Sequence, residues 1–156
     1  MIPVGLWKLL HLFFAFSFVG ALTLAEWNVR AARRTGDWRE RARLLSVVRD
    51  AYRVYGLLSL LLLGVFGNLA APAAGYRMAT DGWMHVVNGL WVVAVLLYLL
   101  LALPAARRAA GLAQSAAEGG PAEGYEQALG RWRLANVLLT LLYIAFLVVM
   151  VFPWRS

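Results

Sequence analysis

Four stretches of the chain are apolar at almost every position, and the charged residues cluster in the segments between them. An α-helix rises 1.5 Å per residue, so about 20 apolar residues cross the roughly 30 Å core of a bilayer. Helices that are apolar around their whole circumference are typical of membrane spans. The pattern therefore predicts an all-α fold, an integral membrane four-helix bundle formed as one membrane domain by residues 1–156. The predicted spans cover about residues 4–27, 55–71, 84–103 and 134–152.

The composition excludes several function classes. The chain is 62% hydrophobic and 15% charged, whereas soluble domains average about 45–50% apolar and about 25% charged residues. It contains no cysteine, which excludes disulfides, thiolate catalysis and cysteine-ligated metal centres. No paired carboxylates, phosphate-binding loop or Ser-His-Asp set can be assembled, so we expect no enzyme activity carried by protein groups alone.

The basic residues predict the orientation. Twelve of them lie in the segment between spans one and two or in the segment between spans three and four, which are on the same side of the membrane. Only Lys8, Arg77 and Arg155 lie on the other side. Because cytoplasmic loops carry the excess of Lys and Arg, we expect both termini outside the cytoplasm. The preference for Arg over Lys, with many Ala and Leu residues, is typical of a GC-rich bacterial genome and predicts a bacterial inner-membrane protein. The net charge of +7 then indicates contact with anionic lipid headgroups at the Arg-rich loops rather than nucleic acid.

The segment between the first two spans predicts a long helical hairpin. Asp37 and Glu40 have the spacing of a capping box, and no Gly or Pro follows until Gly56. The second helix is therefore expected to begin near Asp37, before it enters the membrane, which gives a hairpin with a cytoplasmic tip. Its arginines have two interpretations, a solvated and lipid-facing surface or a stalk on which a partner docks.

The two histidines are the main candidates for chemistry. His11 and His85 lie in spans one and three, which run in the same direction, so both are expected in the outer half of the bilayer. Imidazoles on facing helices are the usual axial ligands of haem in a helical bundle. The pattern predicts a b-type haem ligated by both histidines, with Lys8 and Arg77 pairing with its propionates and Asn88 holding a ring edge. The alternative is two unrelated packing or interfacial histidines.

The first helix also resembles known bacterial membrane proteins. Lys8-x-x-His11 followed by Gly20 is similar to the opening helix of an uncharacterised family of small four-helix predicted integral membrane proteins. The similarity includes the turn at residues 30–37, Gly64 and Trp83. More distantly, the helix resembles the membrane domain of copper-resistance D proteins and the membrane-bound protoporphyrinogen oxidase of haem synthesis. The resemblance implies haem at His11. The oxidase carries a lysine in its third helix that this chain lacks, which argues against the oxidase activity.

Two functions follow as hypotheses. The first is a small inner-membrane protein that binds one b-type haem near the outer leaflet for electron transfer. The second is a non-catalytic structural or accessory subunit of a larger membrane complex. A transporter is a weaker hypothesis, because charged groups at the membrane midplane and interrupted helices are not predicted.

Overall fold

The computed structural model describes residues 3–77 and 80–152, and within these ranges every regular element is a helix. Two short π-helical segments, Ala51–Gly56 and Tyr98–Ala102, join α2 to α3 and α4 to α5 without a break. The chain therefore forms four long helices that run alternately up and down. The six α-helices are α1 (Val4–Arg34), α2 (Trp38–Asp50), α3 (Leu57–Ala73), α4 (Gly82–Leu97), α5 (Leu103–Ala117) and α6 (Tyr125–Val151).

Each of the four long helices is long and apolar enough to cross a membrane. The prediction of an all-α fold with four helices long and apolar enough to span a membrane is therefore confirmed. The third and fourth helices are longer than the sequence pattern indicated, because helix continues to Ala117 and starts again at Tyr125. The bundle consequently has two helical hairpins at one end. We call this end, with turns at residues 35–37 and 118–124, the hairpin end. The opposite end, with residues 3, 74–77, 80–81 and 152, is the termini end.

The tip of the first hairpin forms as the capping pattern predicted, but only in part. Asp37 is the N-cap of α2, and its carboxylate accepts a hydrogen bond from the backbone N–H of Arg39 at 3.0 Å. The Glu40 carboxylate does not return to the backbone of Asp37. It accepts instead from Arg43 at 2.6 and 2.9 Å, while the Asp37 N–H donates to Thr35 Oγ1 at 3.1 Å. Half of the capping box is therefore present.

The hairpin end has a tightly packed core. The buried face of α5 consists almost entirely of alanines, and small side chains allow neighbouring helices to approach closely. Leu45 and Val48 of α2 are buried in this core, so the apolar face of α2 packs within its own chain. The ring of Trp38 meets the edge of Tyr125 at 5.1 Å between centroids. The buried alanines of α5 are Ala105, Ala106, Ala109, Ala110 and Ala113.

Candidate functional site

A cavity of about 370 Å³ lies in the half of the bundle nearer the termini end. Its walls come from α1, α3, α4 and α6 and are mostly apolar. Three of the lining side chains, Leu12 and Phe16 of α1 and Leu147 of α6, are also exposed on the outer surface of the bundle. The cavity therefore opens sideways between α1 and α6, toward the space that hydrocarbon chains occupy around a membrane protein.

His11 lines this cavity in a fixed orientation. Its Nδ1 lies 2.9 Å from the carbonyl oxygen of Leu63 on α3. A carbonyl can only accept, so Nδ1 carries the proton and, in the neutral ring, Nε2 keeps its lone pair. The ring packs against Gly67, where an added Cβ would lie 3.0 Å from Nδ1 and 4.0 Å from Nε2. Histidines that bind metals have this same arrangement, with the other ring N–H donated to a carbonyl or carboxylate.

Two asparagines tie α3 to α4 beside the cavity. Asn68 Nδ2 donates to Asn88 Oδ1 at 2.8 Å and to the Gly64 carbonyl at 3.0 Å. Asn88 Nδ2 donates to the Met84 carbonyl at 2.9 Å. Within the described part of the chain, Asn68 Oδ1 receives no hydrogen bond and remains available as an acceptor.

Two tryptophans of α4 line the cavity and differ in the hydrogen bonding of their indole N–H groups. The indole N–H of Trp91 donates to the Leu60 carbonyl at 2.8 Å, and its ring occupies the space left by the missing side chain of Gly64. The buried N–H of Trp83 has no partner among residues 3–77 and 80–152, and the ring meets Tyr76 edge-on. Because a buried donor without a partner costs about 1–3 kcal/mol, Trp83 is a polar group that a ligand or water could satisfy.

The structure brings together three of the five residues predicted to bind haem. Lys8, His11 and Asn88 line the cavity, whereas His85 and Arg77 do not. His85 is exposed on the outside of α4, next to Met84, which is buried and lines the cavity. Successive residues point about 100° apart around a helix, so a similar depth in the membrane did not bring the two histidines to the same space.

Arg77 lies in the loop before α4, where its side chain is exposed and its backbone N–H donates to Asp81 Oδ2 at 2.7 Å. Among the described residues, no group of three or more His, Cys, Asp or Glu side chains could hold a metal ion. Of the two proposed metal ligands, His11 lines the cavity and His85 is exposed outside it, so the structure does not bring them together there. The other soft donors that line the cavity are the thioethers of Met84 and Met150, which are far apart in sequence.

A second polar cluster lies nearer the hairpin end and was not predicted. The hydroxyl of Tyr52 donates to Asn136 Oδ1 at 2.5 Å, and Asn136 Nδ2 donates to Glu26 Oε2 at 3.4 Å. Glu26 Oε1 accepts from Arg30 Nε at 2.8 Å. The hydroxyl of Tyr98 donates to the backbone carbonyl of Tyr52 at 2.7 Å. We call Glu26, Tyr52, Tyr98 and Asn136 the hairpin-end cluster.

The two π-helical segments position the tyrosines of this cluster. In the first segment, the Leu57 N–H reaches back five residues to the Tyr52 carbonyl, which also accepts from Tyr98. An added Cβ at Gly56 would collide with the Tyr98 hydroxyl. The glycine thus allows the Tyr98 side chain to reach Tyr52, and the two rings stack at 5.1 Å between centroids. The one sequence signal for this arrangement was Gly56, because the two tyrosines belong to no polar motif.

No protein-family model matches the chain, and neither a curated protein nor a solved structure is significantly similar to it.

Proposed function

We propose that this multi-pass protein of the bacterial inner membrane holds one b-type haem in the cavity and serves in electron transfer. The observation that carries the proposal is the hydrogen bond from His11 Nδ1 to the Leu63 carbonyl. It orients a half-buried imidazole at the wall of an apolar cavity and leaves Nε2 as the ligating atom.

The residues present fit a haem with His11 as its histidine ligand. The mostly apolar walls suit a macrocycle, and Lys8, exposed and three residues before His11, offers an ammonium group to a propionate. Met84 and Met150 offer thioethers, which accompany histidine as axial ligands in some haem proteins. The hydrogen bond to the Leu63 carbonyl keeps the ring from turning. Bound haem would supply a reversible one-electron centre, and we expect no catalysis by the chain's own side chains.

The absorption spectrum of detergent-purified protein, oxidised and then reduced, tests this proposal. Cells supplied with a haem precursor should yield a wild-type protein with a Soret band. His11→Ala should remove the band, because no other imidazole lines the cavity. The matched control, His85→Ala, should keep it, because His85 lies outside the cavity. A colourless wild-type protein, or equal loss in both variants, would contradict haem ligation by His11.

We also propose that the hairpin end lies in the cytoplasm. Twelve basic residues belong to this end and three to the other, of which Arg155 lies outside the described residues. Cysteines introduced at Gly75 and Gly120 test the orientation, since the chain has no cysteine of its own. On intact cells, a membrane-impermeant thiol reagent should label position 75 only. Labelling of position 120 alone would reverse the orientation.

A structural or accessory subunit is the second candidate function. The observation that favours it is the exposed His85 on a span whose other exposed side chains are mainly apolar. Polar residues in spans usually face the bundle interior or a partner. Under this function, wild-type protein purified in mild detergent would retain a stoichiometric membrane partner that His85→Leu loses. A wild-type protein that purifies alone would exclude it.

A further inference from the structure

A groove of about 500 Å³ runs along the first hairpin, between the last turns of α1 and the first turns of α2. One wall carries Trp27, Arg30 and Arg34, which recur at the spacing of a single helix face. The opposite wall carries Glu40 and Leu44, and Thr35 lies at the turn. The groove is at the other end of the bundle from the cavity, so it is independent of haem.

The depth of the groove corresponds to the headgroup layer of a membrane. Trp7 and Trp27 are 20 residues apart on α1, which is about 30 Å along the axis and equals the thickness of a hydrocarbon core. Trp27 is 75% exposed, as expected of a tryptophan at the membrane interface. Arg30 then lies about 5 Å beyond the core and Arg34 about 10 Å beyond it. Headgroups occupy about the first 5–8 Å, within reach of both side chains.

The charges in the groove favour an anion. Arg30 pairs with Glu26 through Nε only, and 67% of its side chain remains exposed. Arg34 is exposed and makes no ion pair within the described part of the chain. Among the described residues, Glu40 is the one acid on the groove wall, and its carboxylate is bound by two nitrogens of Arg43. That hydrogen bonding lowers the pKa of Glu40 from its ordinary value, so the acid stays ionised and paired.

The surroundings of the groove favour a lipid over a soluble anion. On the membrane side of the groove, α1 continues with the exposed Leu24 and Trp27, along which an acyl chain can lie. Guanidinium groups recognise phosphate through paired hydrogen bonds. We propose that the hairpin groove is a binding site for one anionic phospholipid, whose phosphate is held by Arg30 and Arg34 and whose chains pack beside Trp27.

Native mass spectrometry of the full chain in detergent, titrated with phosphatidylglycerol or phosphatidylcholine, tests the proposal. Wild-type protein should bind one phosphatidylglycerol more tightly than any phosphatidylcholine. Each of Arg30→Gln and Arg34→Gln should weaken that binding about fivefold, and the double variant about 25-fold, since one arginine near an anionic surface contributes about 1 kcal/mol. The matched control is Arg131→Gln with Arg133→Gln, two exposed arginines of α6 outside the groove. It should change binding less than twofold.

Three results would overturn the proposal. Equal losses in the groove and control variants would mean diffuse attraction to positive charge. Equal binding of phosphatidylcholine would remove the role of the anionic headgroup. Displacement of the lipid by millimolar inorganic phosphate would show a soluble-anion site. The titration repeated on His11→Ala should give the wild-type result, so failure of the haem proposal is distinguishable from failure of this one.

Discussion

The bundle holds two groups of polar side chains among its apolar helices, and they differ in how completely they are hydrogen-bonded. In the hairpin-end cluster, both tyrosine hydroxyls, both ends of the Asn136 amide and both Glu26 oxygens have partners. Around the cavity, His11 Nε2, Asn68 Oδ1 and Trp83 Nε1 have none in the described part of the chain. Inside a membrane a polar group needs either a partner or a function. The difference is what we expect if the first group is structural and the second binds the proposed ligand.

The side chains are also packed more tightly around the hairpin-end cluster than around the cavity. Tyr52, Tyr98 and Trp132 are almost fully buried near the hairpin end, against an α5 face made of alanines. Near the termini end, side chains of four helices surround open space. Hydrogen bonding near the hairpin end is not complete, because Tyr125 and Trp132 each keep one buried polar atom without a partner within residues 3–77 and 80–152. Neither residue lines the cavity near the termini end or the groove of the first hairpin.

Gly56→Ala is expected to destabilise the protein more than the other two substitutions proposed below, because it disturbs the hairpin-end cluster. The added methyl group would collide with the Tyr98 hydroxyl and break its bond to the Tyr52 carbonyl. Overpacking of this kind lowers the free energy of unfolding by about 1–3 kcal/mol. Thermal unfolding in detergent, followed by circular dichroism, should show a clear loss that Tyr98→Phe partly restores. Gly130→Ala, where an added Cβ meets nothing, is the control and should cause no loss.

Asn136→Leu is expected to have the next largest effect. It leaves the buried Tyr52 hydroxyl without an acceptor, at a cost of about 1–3 kcal/mol in unfolding free energy. Adding Tyr52→Phe should recover part of that loss, because the double variant has no buried hydroxyl at position 52 that lacks an acceptor. Asn28→Leu is the matched control, since Asn28 bonds only to its own helix at Leu24. If Asn28→Leu and Asn136→Leu are equally destabilising, the hairpin-end cluster has no structural role.

The smallest effect is expected from Asn88→Leu beside the cavity. Asn68 would lose one acceptor but keep the Gly64 carbonyl, and the open space lets its amide reorient. Hydrogen bonds between membrane helices average about 0.6 kcal/mol, and we expect a destabilisation of this size by the same unfolding measurement. A loss as large as that of Asn136→Leu would mean that the cavity wall is as structural as the hairpin-end cluster.

The four spans could be predicted from sequence because apolar length alone identifies a membrane helix. Asp37 as an N-cap was also predictable, since capping depends on neighbouring residues. The continuation of helix to Ala117 was not predicted, because the polar residues of α5 looked like a loop. The packing of its alanine-rich face against α2 and α6 supports that helix.

The candidate site was predictable only in part. The position of His11 on α1 sets its depth, but the Leu63 carbonyl that orients it comes from another helix. His85 shows the same limit, since depth follows from position along a helix whereas the direction of a side chain depends on how the helices pack. Glu26 is a further example, since Asn136, which donates to it, lies 110 residues away along the chain.

The most direct test of the account is a haemin titration of haem-free protein, with the unfolding temperature of each variant measured beside it. We predict that His11→Ala loses stoichiometric haemin binding while its unfolding temperature stays near the wild-type value, because His11 borders open space. We predict that Asn136→Leu unfolds at a lower temperature yet, while folded, binds haemin as tightly as the wild type. Weakened binding in Asn136→Leu together with unchanged binding in His11→Ala would contradict the assignment of binding to the cavity and of structure to the hairpin-end cluster.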